Sequence, residues 1–122
     1  MKGLMTKHFT KWASKQAIPE NELVVALKEL EAGSFEANLG AHIYKKRIRF
    51  KGKGKSSSGR TIICYKKGDR AIFVHGFAKN EKENLSSKEL IVFKELSKIL
   101  LGLSLADIDV AIEKGDFIEV KL

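Results

Sequence analysis

The 122-residue chain has one cysteine, one proline, only 8% aromatic residues and no apolar run long enough to cross a bilayer. Each shortage excludes something. Cys64 alone allows no internal disulfide and no cysteine-rich zinc site, and a single thiol with apolar neighbours suits a reducing compartment. The opening MKGLMTKHFTKW lacks the apolar stretch and small-residue cleavage site of a signal peptide. A soluble, cytoplasmic protein with no membrane association is expected. Histidine is scarce too: His8, His42 and His75 are scattered without metal-ligand spacing, so neither a metal site nor a cofactor is expected. The segment GKGKSSSGR has the composition of a phosphate-binding loop but not its G-x-x-x-x-G-K-[ST] spacing.

What is abundant is positive charge, and it is concentrated. The formal net charge is +8. Residues 1–41 hold five lysines and five carboxylates, and residues 83–122 hold five lysines against eight carboxylates. Between them, residues 42–82 hold thirteen lysines and arginines against only Asp69 and Glu81. A block of that density implies an anionic partner, most commonly nucleic acid.

Periodicity divides the chain into helices, then strands, then helices. A short strand is expected at residues 7–9, leading into a helix over 11–16 with Phe9, Trp12 and Ala13 inward. Pro19 suits the first turn of a second helix, where Glu20 and Glu22 complement the dipole. Leu23, Ala26, Leu27 and Leu30 form its apolar stripe, and Gly33 stops it. Residues 42–50 then alternate, with Tyr44, Ile48 and Phe50 on one side and Ile43, Lys45, Arg47, Arg49 and Lys51 on the other. Only Lys46 breaks this pattern. Residues 52–59 lack core-forming side chains and read as a loop. Residues 60–65 and 71–78 make two further strands joined by a turn at Lys66-Lys67-Gly68-Asp69, with His75 expected on the face of Phe73, Phe77 and Lys79. Ser86 and Glu89 form a capping box for a helix whose buried stripe is Val92, Phe93, Leu96, Ile99 and Leu100. Gly102 ends it, Ser104 caps a short helix to about Lys114, and Phe117, Ile118 and Val120 can add a last strand. The expectation is one α+β domain over residues 1–122, with an antiparallel meander flanked by helices.

Alternate strand residues lie about 6.6 Å apart, so Arg47, Arg49 and Lys51 form a row near the phosphate spacing of a nucleic-acid strand. Lys53 and Lys55 continue it, and a meander would bring Arg60 and Lys79 to the same end of the sheet. Convergent cations stabilise charge building on a phosphate. That chemistry would support RNA cleavage, in which the ribose 2′-hydroxyl is a nucleophile already in place. It would equally support plain gripping of a backbone, and the residues alone leave both open. Cys64 and Trp12 read as packing residues.

The run YKKRIRFKGKGKSSSGRTIICYKKGDRAIFVHGFAKNEKENLSSKEL resembles the RelE/HigB-type toxins of bacterial type II toxin–antitoxin modules. It is closest to the subgroup whose loop reads G-x-G-K-S-G-G-x-R and whose third strand ends in G-F-A-K-N-E. The resemblance extends to KWASK and ELVVALKELEAG before this run and to ELSKILLGLS and GDFIEV after it. It implies a RelE-like fold with helices packed on a small twisted antiparallel sheet. It implies inhibition of translation by ribosome-dependent, metal-independent mRNA cleavage through 2′-hydroxyl attack. It also implies a cognate antitoxin, of the helix-turn-helix type in many members, with DNA met only through that complex. By motif position, Lys53, Lys55, Arg60 and Lys79 match the family's catalytic cations, and Arg47, Arg49 and Lys51 are expected RNA contacts. The loop departs from the subgroup at Ser57-Ser58, and its strand tyrosine is here His75, a further candidate acid or base. The alternative is a non-catalytic RNA- or ribosome-binding regulator that has lost nuclease activity.

Overall fold

The computed structural model describes residues 1–49, 58–79 and 84–122. The elements run β1 (Lys2–Thr6), α1 (Lys7–Lys15), α2 (Glu20–Glu31), β2 (Ala37–Gly40), β3 (Ile43–Arg49), β4 (Ser58–Lys66), β5 (Arg70–Ala78), α3 (Ser87–Gly102), α4 (Leu105–Glu113) and β6 (Phe117–Val120). The strands form one sheet in the order β2-β3-β4-β5-β1-β6. The expected meander is β3-β4-β5, antiparallel throughout. The sheet then continues beyond it: β1 pairs with β5 in parallel, and β6 pairs with β1 antiparallel.

Two hydrophobic layers sandwich this sheet. On one face Leu23, Ala26, Leu27 and Leu30 of α2 and Phe9 and Ala13 of α1 pack on Met5, Ile48, Ile63, Tyr65, Ala71, Phe73 and Val120. On the other, Leu100 and Ile108 of α3 and α4 pack on Leu4, Ile43, Ile62, Cys64, Ile72, Val74, Phe77 and Phe117. Each fully buried leucine, isoleucine or phenylalanine contributes roughly 1.5–3 kcal/mol against the chain entropy. β5 is buried along nearly its whole length, as its largely apolar sequence requires.

The N-terminus differs from expectation. Residues 7–9 are the first turn of α1, and the strand lies earlier, at Lys2–Thr6. Thr6 fixes the boundary: its Oγ1 accepts a hydrogen bond from the Phe9 N–H at 3.2 Å. Pro19 is the N-cap of α2 rather than a residue within it. β4 begins at Ser58, inside the stretch read as loop.

The α3 stripe is also rotated. Phe93, Leu96, Ser97 and Leu100 face the sheet, while Val92 and Ile99 are each 62% exposed. A helix turns about 100° per residue, so one step moves a side chain off the seam. Ser97 explains the choice: its Oγ donates to the Ala41 carbonyl at 2.7 Å, and it hydrogen-bonds Cys64. The predicted capping box of Ser86 and Glu89 is present, and the expected Ser104 cap is completed by Asp107 into a second box.

Two buried charges tie the layers together. Lys46, the residue out of pattern in β3, points to the α2 face with a side chain only 7% exposed, and its Nζ lies 3.0 Å from Glu29 Oε1. Arg70 donates Nε to Asp69 Oδ1 at 2.8 Å and Nη1 to the carbonyls of Leu100 and Leu103, at 3.1 and 2.7 Å. Those carbonyls belong to the end of α3, where helical acceptors lack partners. The guanidinium therefore closes the α3 C-terminus from the neighbouring strand. Asp69 is held below the usual carboxylate range, chiefly by its hydrogen bond to Arg70.

Candidate nucleic-acid interface and active site

Side chains directly opposite each other in a β-ladder share a face. Arg47 pairs with Arg60, and Arg60 pairs with Phe77, so these three form one cross-strand row. Arg49 pairs with Ser58, whose carbonyl accepts from the Lys79 N–H at 3.1 Å, which places Lys79 in the next row. Lys45, Ile62 and His75 form the row on the other side. The fold therefore gathers Arg47, Arg49, Arg60 and Lys79 on the α3 face of one end of the sheet, with His75 beside them. Lys51, Lys53 and Lys55 lie outside the described residues.

One irregularity makes this arrangement. The β4–β5 register steps from Ile62↔His75 to Ile63↔Phe73, leaving Val74 as a bulge. Simple alternation would put Phe73, His75, Phe77 and Lys79 on one face, as the sequence suggested. The extra residue reverses the parity. Phe73 faces α1, with its ring 4.7 Å from that of Phe9. His75 and Phe77 face the other way, and the His75 ring lies 5.0 Å from that of Phe93 in α3. Gly76 then points back to α1, where a Cβ would come within 2.3 Å of the Trp12 ring. Glycine is required there because the indole lies against the backbone.

Electrostatically the face is frustrated. Like charges directly opposite each other on a sheet destabilise it, yet Arg47 stands opposite Arg60. Arg47 and Arg49 are exposed, and Arg60 is half-buried with its Nη1 3.4 Å from the Gly59 carbonyl. The one nearby carboxylate of the β2 edge, Glu36, is engaged by the Arg47 backbone N–H at 2.8 Å. Lys45 Nζ donates to Asn84 Oδ1 at 2.6 Å. A polyanion lying along the face would relieve the repulsion, and a phosphate losing its ester bond would gain most from it.

Sequence reasoning missed His8. Its Nε2 lies 3.0 Å from His75 Nδ1, across 67 residues. Two of the three histidines are therefore neighbours in space. The parallel pairing of β1 with β5 brings the start of α1 to this position, and no local pattern announces such a pairing. Both tyrosines, Tyr44 and Tyr65, lie on the α2 face, their rings 5.6 Å apart. Cys64 is core: burial pushes its thiol up to about 11, only partly offset by the Ser97 hydrogen bond. Among the described residues no helix is long and apolar enough to cross a membrane.

The family model described as RelE toxin of RelE / RelB toxin-antitoxin system matches residues 1–120. No curated protein matches the chain.

Proposed function

Since the chain belongs to the family of RelE toxins of RelE/RelB toxin–antitoxin systems, we propose that it inhibits translation as a ribosome-dependent endoribonuclease that cuts mRNA. The observation carrying this reading is the convergence of Arg47, Arg49, Arg60 and Lys79 on one face, with two arginines held directly opposite each other. Attack of the ribose 2′-hydroxyl on the adjacent phosphorus needs charge stabilisation on the non-bridging oxygens. Fixed guanidinium and ammonium groups supply it without a metal ion. Arg60 and Lys79, with Lys53 and Lys55, take that role. Arg47, Arg49 and Lys51 hold the backbone of the message.

Membership in this family implies a cognate antitoxin. We assign it to the helix-turn-helix type, with DNA reached only through the antitoxin complex. The test is a translation extract with primer-extension mapping of mRNA ends. New ends in ribosome-bound message are expected. Undisturbed translation at micromolar protein overturns the proposal.

One observation favours a second reading. Both tyrosines lie on the far side of the sheet, so neither can move a proton on the basic face. A non-catalytic regulator would bind ribosomes with steep salt dependence and leave the message intact.

A further inference from the structure

His8 and His75 meet beside the basic face. Their rings are parallel to within 5°, with centroids 5.2 Å apart, and the nitrogens are 3.0 Å apart. Rings stacked face to face keep their atoms at van der Waals separation, roughly 3.5 Å or more. A nitrogen pair closer than that, between rings whose centres are so far apart, is an edge-to-edge contact in a common plane. That is the geometry of an N–H···N hydrogen bond.

A neutral imidazole has one donor and one acceptor nitrogen. When His75 Nδ1–H donates to His8 Nε2, the lone pair of His75 is on Nε2. The second imidazole thereby sets the tautomer of the first. Phe93 at 5.0 Å and Phe77 at 6.2 Å flank the His75 ring. The charged groups on the surrounding elements are Lys45 and Arg47 on β3, Arg60 on β4, Lys79 after β5, Lys7 beside His8, and Glu89 in the first turn of α3. Lys7 is paired with Asp116 at 3.5 Å, and a Glu89 carboxylate oxygen accepts from the Ser86 N–H at 2.9 Å.

We infer that His75 is the proton acceptor for the 2′-hydroxyl and that His8 is the positioning residue that orients it. The inference rests on the cleavage reading above. In the step, His75 Nε2 takes the 2′-hydroxyl proton as the O2′–P bond forms. The P–O5′ bond breaks, and the leaving 5′-oxygen takes a proton from the Lys79 ammonium. The products are a 2′,3′-cyclic phosphate and a 5′-hydroxyl. The imidazolium keeps its Nδ1–H on His8 Nε2, and once the products leave it gives its Nε2 proton to water, from which Lys79 is recharged.

The test is single-turnover cleavage of ribosome-bound mRNA by the full chain across pH 5–9. His75→Gln should slow cleavage about 10²-fold or more, the usual share of a general base. It should also remove the acid limb from the pH profile. His8→Ala should slow cleavage and displace that limb, and His8→Gln, whose amide oxygen can accept from Nδ1–H, should restore much of the rate. His42→Asn, in the β2–β3 turn, should match the wild type. Superimposable profiles for wild type, His75→Gln and His8→Ala overturn this inference alone. No cleavage by the wild type overturns the nuclease reading and this inference with it. An imidazole NMR titration reads the pair without activity: the His75 titration should shift in His8→Ala, and an unmoved curve also overturns the inference.

Discussion

Arg60 lies opposite Phe77 in the β4–β5 ladder and Lys79 lies opposite Ser58, so the two cations leave the same face two residues apart along the strands. As diagonal neighbours on adjacent strands they lie roughly 7–8 Å apart, close enough for both side chains to reach one phosphate. Replacing Arg60 with alanine should abolish growth inhibition in cells and cut cleavage about 10²–10³-fold, the scale of losing one fixed stabiliser of transition-state charge. Circular dichroism should show an unchanged fold. Persistent toxicity would remove Arg60 from the site.

Arg47 faces Arg60 directly. Arg47→Thr should therefore stabilise the free protein by about 0.2–1 kcal/mol in urea unfolding, the size of a cross-strand pair, while weakening RNA binding. The salt slope of binding should fall by about one. Loss of stability in this variant would show that the repulsion is not there.

Gly76 has the Trp12 ring where its Cβ would be. Gly76→Ala should destabilise the fold by about 1–3 kcal/mol, as overpacking does, and Trp12 fluorescence should change with it. A second-site Trp12→Leu should recover part of the loss. If Gly76→Ala unfolds at the wild-type midpoint, the indole does not lie against β5 as described.

Arg70 supplies donors to Leu100 and Leu103 at the end of α3. Arg70→Met should cost about 1–3 kcal/mol for each carbonyl left without a partner, read as a lowered Tm. Its partner Asp69 has a depressed folded-state pKa. The stability it contributes is present above the unfolded value of 3.8 and is lost as pH falls through the folded one. The Tm difference between wild type and Arg70→Met should therefore narrow in acid.

Cys64 behaves in the opposite sense. Its thiol is raised from 9.0 to about 11 by burial. Stability is complete below pH 9 and falls by roughly 2–3 kcal/mol as pH rises through 11, because only the unfolded thiol ionises in that window. Iodoacetamide should label Cys64 in urea and leave the native protein largely unlabelled at pH 8.

Local chemistry was legible in the sequence, and distant pairing was not. The Ser86 and Ser104 caps, the Gly33 stop and the alternation of β3 depend on neighbours within four residues. Lys46 was visible as an exception, and its reason, Glu29 on α2, lies in another element. The α3 stripe was misplaced because an apolar Val92 and Ile99 outscore Ser97, whose hydroxyl finds its partners in other elements, the β2–β3 turn and β4. At the site, the meander put Arg60 and Lys79 together from sequence alone. The face occupied by His75 depended on the unpaired Val74, and its neighbour His8 depended on β1 entering beside β5.

That entry governs the order in which the molecule can be completed. β1 has its parallel partner about seventy residues later and its antiparallel partner at Phe117–Val120. Contacts of such long sequence separation form late and slowly. A nascent chain holds β1 and α1 without the strands that seat them, so His8 cannot reach His75 until β5 exists and the sheet cannot close until β6 does. Neither the histidine pair nor the sheet edge beside it can therefore form before both of the strands that β1 joins are present.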